Sequence, residues 1–128
     1  MKREYHYSVR PEHLDLSRRT TIKAVYDMLL DAACKDADNN GFGTHQLSTV
    51  YNLTWVLVRI GISIDKLPPE DEQLVVSTWV NQVSKLSTTR EFQAYGKDGR
   101  VYATATTVWT LIGMDSRKLC PIEESIPF

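Results

Sequence analysis

One stretch with helical periodicity precedes a long series of strand-like segments, and this order constrains the fold more than any other feature of the sequence. Ser17, Thr20 or Thr21 can cap the first amides of a helix over residues 20–37, and Gly41 can end it. Within it, apolar side chains recur at three- and four-residue spacing, at Ile22, Val25, Tyr26, Leu29, Ala32 and Ala33. The pattern predicts one long amphipathic helix and no second one.

After Gly43 the chain is dominated by β-branched and aromatic residues, which favour strands. An extended lead-in ahead of the helix and four later strands are predicted, over residues 5–10, 54–64, 72–83, 88–95 and 100–114. Gly96 to Gly99, with its Asp-Gly pair, predicts a hairpin turn between the last two strands. In residues 54–64, strict alternation predicts one apolar face that begins at Val56 and an opposite face that carries Trp55 and Arg59.

These elements predict an α+β domain, in which a curved antiparallel sheet wraps around one long helix. This is the hot-dog fold. We expect the domain to occupy residues 1–115, and residues 116–128 to form a proline-punctuated tail or linker.

Composition narrows the function classes. The net charge is -1, from 15 basic and 16 acidic residues, so no overall field draws the chain to nucleic acid or to an anionic membrane. No apolar run approaches the roughly 20 residues that span a bilayer, and we expect a cytoplasmic protein. The two cysteines and three histidines show no metal-ligand spacing, so no metal site is predicted.

Six short motifs occur in series over nearly the whole chain. They are Arg18-Arg19-Thr20-Thr21-Ile22, Gly41-Phe42-Gly43, Trp55-Val56-Leu57-Val58-Arg59, Thr78-Trp79, Arg90-Glu91-Phe92, and Trp109 followed by Asp115-Ser116-Arg117-Lys118. Each motif is short, but in their order and spacing they resemble the bacterial and plant acyl-acyl-carrier-protein thioesterases.

The resemblance implies an acyl-[acyl-carrier-protein] thioesterase of fatty acid biosynthesis. Members of that family resemble two hot-dog domains joined in one chain. The first domain mainly shapes the acyl pocket, and the second supplies the hydrolytic residues in an Asn-x-His motif. This sequence contains no Asn-x-His. We therefore expect the acyl-binding half, without a cofactor, acting on an acyl chain attached through phosphopantetheine to acyl carrier protein. We also expect it to form a homo-oligomer or to pair with a second hot-dog domain.

Two alternatives stay open. One is a one-domain homodimeric thioesterase in which Asp15, just ahead of the helix, acts as base or nucleophile. The other is a non-catalytic module that binds acyl thioesters. An ordinary loop aspartate also fits Asp15. The acyl length does not follow from the sequence, because it depends on the depth of the pocket.

Further candidates surround the helix start. Arg18, Arg19 and Lys23, with Arg117 and Lys118 as possible additions, form a basic rim that would attract an acidic carrier protein, or they are simply solvated. The backbone amides of residues 20–22, which include Thr20 and Thr21, are candidates to polarise the thioester carbonyl.

Candidates on the strands complete the site. Trp55, Trp79 and Trp109 are expected to be core residues or to line an acyl tunnel. Arg59 is expected to find a carboxylate or carbonyl partner, with ligand contact as the alternative. Cys34 is expected to be a small buried residue without a chemical role.

Overall fold

The computed structural model describes residues 2–128. One long helix, α1 (Ile22–Asn39), lies against a six-stranded antiparallel sheet in the order β1-β3-β4-β5-β2, with β6 beside β5. The strands are β1 (Arg3–Ser8), β2 (Leu53–Ile64), β3 (Gln73–Val83), β4 (Thr88–Gly96), β5 (Val101–Gly113) and β6 (Leu119–Cys120). The short helices are α2 (Thr44–Gln46) and α3 (Ile122–Ser125). The predicted α+β plan and its single long helix are confirmed.

Helix α1 begins where Thr21 accepts a hydrogen bond from the Ala24 amide through its side-chain oxygen, as predicted for a cap. Its inner face packs on the concave side of the sheet. The buried cluster there contains Val25, Leu29, Ala32, Ala33, Val76, Phe92, Ala94, Ala103 and Ala105. Ile22, expected to begin the apolar stripe, is instead 61% exposed. The small alanines let helix and sheet approach closely.

A β-bulge in β2 corrects the predicted faces of that strand. Leu57 pairs with Trp109 and Arg59 pairs with Val108, so Val58 is an extra residue between them. The bulge reverses the alternation: Trp55 lies on the inner side, whereas Val58 and Arg59 are exposed. Strict alternation across residues 54–64 was therefore a wrong expectation.

Residues 44–51 are helical, although the sequence predicted β structure after Gly43. Helix α2 continues into a π-helical turn, Leu47–Tyr51, that ends at Asn52 in the left-handed conformation. A side chain at Gly43 would place its Cβ 1.5 Å from Asp38 Oδ1, so any other residue there has to displace the Asp38 side chain. Leu47 is fully buried, which explains why the segment packs as a helix.

The final residues dock on the sheet. β6 pairs with β5, and Ile122 and Ile126 are 0% and 2% exposed in a cluster with Leu47 and Leu111. The absence of any strand after residue 116 was a wrong expectation, because a two-residue strand carries too little pattern to detect. Within residues 2–128, no helix is both long and apolar enough to cross a membrane.

Candidate functional site

A cavity of about 330 Å³ opens between the second half of α1 and the concave face of the sheet. This is near the lower end of the volume range of small-molecule sites. One wall comes from the helix and α2, and the other from β2, β3, β4 and β5. The lining residues are Ala33, Cys34, Ala37, Asp38, Thr44, His45, Trp55, Val80, Thr88, Arg90, Trp109 and Phe128. A cleft with this lining suits a mainly apolar ligand.

Two of the three predicted tryptophans line this cavity, and hydrogen bonds hold both rings. Trp55 Nε1 donates to the Phe42 carbonyl at 3.0 Å, and Trp109 Nε1 donates to Thr107 Oγ1 at 2.8 Å. Phe128 stacks on Phe42 with ring centroids 5.5 Å apart and meets Trp55 edge-on at 6.1 Å. The rings form a fixed apolar wall. Their indole donors are already bonded to protein, which leaves carbon surface for a ligand.

A buried ion pair lies at the cavity. Arg90 Nη1 donates to Asp36 Oδ2 at 2.6 Å and to Thr78 Oγ1 at 3.2 Å. Arg90 is 8% exposed and Asp36 is 2% exposed. The partly buried Tyr5 hydroxyl donates to Asp36 Oδ1 at 2.8 Å, and an Arg3 nitrogen lies 3.9 Å from the same oxygen. Burial, together with the hydrogen bond to Asp36, raises the pKa of Tyr5, so its hydroxyl stays a donor.

Sequence reasoning missed Arg90 and Asp36 as functional candidates. A signal existed, since Arg90 falls on the inward face of β4 together with Thr88 and Phe92. Asp36 likewise follows Ala32 and Ala33 at helical spacing, on the buried stripe of α1. A charge on an otherwise apolar face predicts a buried partner.

Cys34 is not the buried residue that the sequence predicted. It is exposed and lines the cavity from α1. Partial desolvation, followed by the nearby charges of Asp31 and Asp38, raises the pKa of its thiol. A thiol in this state is a poor nucleophile at neutral pH.

The loop ahead of α1 uses its polar groups internally. Asp15 is exposed, and its Oδ1 accepts the Arg19 and Ser17 amides at 3.0 and 2.8 Å. These bonds lower the pKa of Asp15, with the Arg19 amide as the largest cause. The Thr21 amide donates to the His13 carbonyl at 3.0 Å, so it is not the unpaired donor that we expected. Thr20 is buried, with its hydroxyl bonded to the Pro68 carbonyl.

Acidic neighbours offset part of the predicted basic rim. Arg18 is exposed and forms an ion pair with Glu70, and Lys23 pairs with Asp27 at 2.7 Å. Arg19 is exposed as predicted. The rim lies at the first turn of α1, whereas the cavity begins near Ala33, about 16 Å further along the axis at about 1.5 Å per residue.

Arg117 and Lys118 do not join the rim. They are exposed beyond the end of β5, whereas the first half of α1 packs near the beginning of β5, where Met28 and Tyr102 belong to one buried cluster. The two ends of β5 are about 40 Å apart at the usual rise of a strand. The sequence expectation was wrong because it could not say which way β5 runs relative to α1.

Arg59 and Trp79 lie away from the cavity. No carboxylate of residues 2–128 is within 4.0 Å of the Arg59 guanidinium, so the expected ion pair is absent from the described chain. Trp79 lies on the outer face of the sheet, where Lys2 Nζ is 4.4 Å from the ring centroid. Of the predicted strand candidates, Trp55 and Trp109 therefore share one site, and Trp79 does not.

Comparison with known proteins decides the family. Residues 1–127 match the family described as the acyl-ACP thioesterase N-terminal domain. The chain belongs to this family. It is 35% identical to an acyl-ACP thioesterase of Bacteroides thetaiotaomicron of known structure, with a TM-score of 0.87, over 93% of this chain and 49% of that one. The resemblance drawn from the sequence motifs is confirmed.

Relatives of this acyl-ACP thioesterase domain extend to plants. Oleoyl-acyl carrier protein thioesterase 2, chloroplastic, of Arabidopsis thaliana is 27% identical over 128 residues, which is 94% of this chain and 34% of the relative. A solved 12:0-ACP thioesterase of Umbellularia californica has a TM-score of 0.84 at 20% identity, over 98% of this chain and 49% of that one. The hot-dog fold is confirmed. The chain spans about a third of the curated relative and about half of the solved ones.

Proposed function

We propose that this chain is the acyl-binding half of an acyl-[acyl-carrier-protein] thioesterase of fatty acid biosynthesis. The observation that carries the proposal is the cavity between α1 and the sheet, with its wall of Trp55 and Trp109. Membership of the acyl-ACP thioesterase family supports the same role. In this function, the cavity holds the acyl chain while a second hot-dog domain hydrolyses the thioester, with water as the acceptor.

The partners are acyl carrier protein and a second hot-dog domain. The edge strand β2 supports the pairing: its outer edge has no strand neighbour within residues 2–128, and Val56 and Val58 are 37% and 60% exposed. Long apolar strand edges favour pairing with another chain or domain. Exposed Arg19 is the candidate contact for the acidic carrier protein.

The structure gives less support to hydrolysis by Asp15 in a one-domain enzyme. A general base works best when its pKa lies near the operating pH, and the loop amides lower the pKa of Asp15 instead. Asp15 also precedes α1, at the end of the helix remote from the cavity. We therefore assign hydrolysis to the second domain.

The location proposed for the chain is the cytoplasm. The proposal rests on the composition of the sequence. The plant relatives differ, because their names describe them as chloroplastic. Fractionation of the source cells with an antibody against the chain measures it directly.

The test of acyl binding uses the intrinsic fluorescence of the three tryptophans. An acyl-pantetheine thioester is titrated into wild type and into Trp109→Phe and Trp79→Phe. Trp109 lines the cavity and Trp79 lies on the outer face, so the two variants are matched in chemistry and differ in place. We expect saturable binding in which Trp109→Phe removes much of the signal change and Trp79→Phe leaves it intact.

A thiol-release assay on the same samples separates binding from hydrolysis. We expect turnover near the uncatalysed rate, unchanged in Asp15→Asn. Absence of saturable binding would contradict the proposed function. Turnover that Asp15→Asn abolishes would favour the one-domain enzyme instead.

A further inference from the structure

The cavity contains a charged group that a plain hydrocarbon chain cannot satisfy. Arg90 is 8% exposed, and both of its hydrogen bonds to described side chains, to Asp36 and to Thr78, use Nη1. Its Nε and Nη2 atoms have no acceptor among residues 2–128, and they are not among the fully buried unpaired atoms. Because Arg90 lines the cavity, these two nitrogens are accessible from it.

Arg90 and Arg3 share one acidic partner, and the second carboxylate at the cavity, that of Asp38, forms no ion pair with either arginine within residues 2–128. Asp36 is the shared acidic partner of Arg90 and Arg3, at 2.6 Å and 3.9 Å. The Arg3 atom at this contact is itself fully buried without a hydrogen-bond acceptor. A second cavity, of about 280 Å³, is lined by Arg3 and Asp36 and shares Val80 and Phe128 with the first. Guanidinium donors without a protein acceptor thus remain where the two cavities adjoin.

On the basis of the proposed function, we propose that the cavity selects acyl chains that carry a hydrogen-bond acceptor oxygen at the end remote from the thioester. The thioester must stay within reach of a catalytic group that this cavity does not supply, so the remote end of the chain enters it. There the oxygen of a terminal hydroxyl or a terminal carboxylate accepts from Nε or Nη2 of Arg90.

Arg90 determines this preference through the cost of an unpaired donor. A methyl group at the remote end of the acyl chain displaces water from the guanidinium without replacing the hydrogen bonds that this water accepted. An oxygen atom at that end replaces them. Sites that contain such a group discriminate strongly against ligands that lack its partner. We expect an acyl chain with a terminal oxygen to bind about tenfold more tightly than the unsubstituted chain of the same length.

The test compares three acyl-pantetheines of equal length by calorimetric titration: unsubstituted, terminal hydroxyl and terminal carboxylate. The main variant, Arg90→Met with Asp36→Asn, removes both charges of the 2.6 Å pair together, and Arg3, whose side chain is 33% exposed, keeps contact with solvent. Arg90→Lys is the second variant, which keeps a cation for Asp36 and lacks the remaining guanidinium nitrogens. Arg59→Met, an exposed arginine of β2, is the matched control.

We expect either oxygen-bearing chain, or both, to be preferred by wild type and by Arg59→Met, and the preference to disappear in the Arg90 variants. Preference for the hydroxyl alone identifies a neutral acceptor, and preference for the carboxylate alone identifies an anion. Equal binding of all three chains to wild type overturns this inference and leaves the proposed acyl-binding function standing. A preference that survives in the folded Arg90 variants also overturns it. No binding of any chain overturns both.

Discussion

Arg90 Nη1 lies 2.6 Å from Asp36 Oδ2, which joins β4 to α1 inside the protein. Removing one partner of a buried pair leaves an uncompensated charge, and this costs about 3–5 kcal/mol. Asp36 keeps the Tyr5 hydroxyl and, at 3.9 Å, Arg3, so we expect Arg90→Met alone to lower the free energy of unfolding by about 3 kcal/mol, the lower end of this range. Urea denaturation followed by circular dichroism measures it.

The double variant Arg90→Met with Asp36→Asn is the control for this first prediction. Asparagine can still accept the hydrogen bond from the Tyr5 hydroxyl, and neither charge remains. We expect the double variant to be more stable than Arg90→Met alone, because the carboxylate that Arg90→Met leaves buried is replaced by a neutral amide. A double variant at least as unstable as the single one would show that the pair acts only through packing.

The exposed edge of β2 predicts self-association of the isolated chain. Val58 is 60% exposed beside the bulge, and a lysine there opposes strand pairing. We expect wild type to scatter light as a dimer or larger assembly at micromolar concentration, and Val58→Lys to shift it toward the monomer. Val50→Lys is the matched control, since Val50 is 64% exposed in the π-helical turn, away from the strand edges. Monomeric wild type would contradict the prediction.

The periodic elements were predictable from the sequence, and the irregular ones were not. Helix α1 and the long strands each contain several repeats of one hydrophobic period, so an error of two residues at an end does not change the predicted element. The bulge at Val58 adds a single residue, and no composition signal marks it. Residues 44–51 became helical because burying Leu47 and the close contact at Gly43 outweigh their strand propensity.

The candidate site was predicted only in part, for a physical reason. Trp55 and Trp109 are far apart in sequence, and only the pairing of β2 with β5 brings them to one cavity. The contact between Asp36 and Arg90 likewise depends on how α1 crosses β4. Sequence periodicity assigns residues to faces of elements, and it does not specify which faces meet.

The hydrogen bonds that Asp15 accepts predict a specific loss of folding stability in acid. Its pKa in the folded protein is lowered, chiefly by the Arg19 amide, so the ionised form favours folding. This contribution is present above the pKa of the unfolded chain and is lost as the pH falls through the lower folded value. Over that acidic range, we expect the free energy of unfolding to change less in Asp15→Asn than in wild type. Glu123→Gln, which removes an exposed carboxylate in α3, is the matched control.

The exposed charge of Arg19 predicts that binding of acyl carrier protein depends on the salt concentration. Its neighbour Arg18 pairs with Glu70, so charge reversal at Arg18 would break that contact as well, and Arg19 is the cleaner site. We expect Arg19→Glu to weaken binding of acyl carrier protein about fivefold at low salt, with a smaller effect as salt screens the charges. The fold should persist, because Arg19 is exposed. Arg59→Glu reverses an exposed charge elsewhere and should bind like wild type. Equal weakening by both variants would show that net charge, rather than the helix start, attracts the partner.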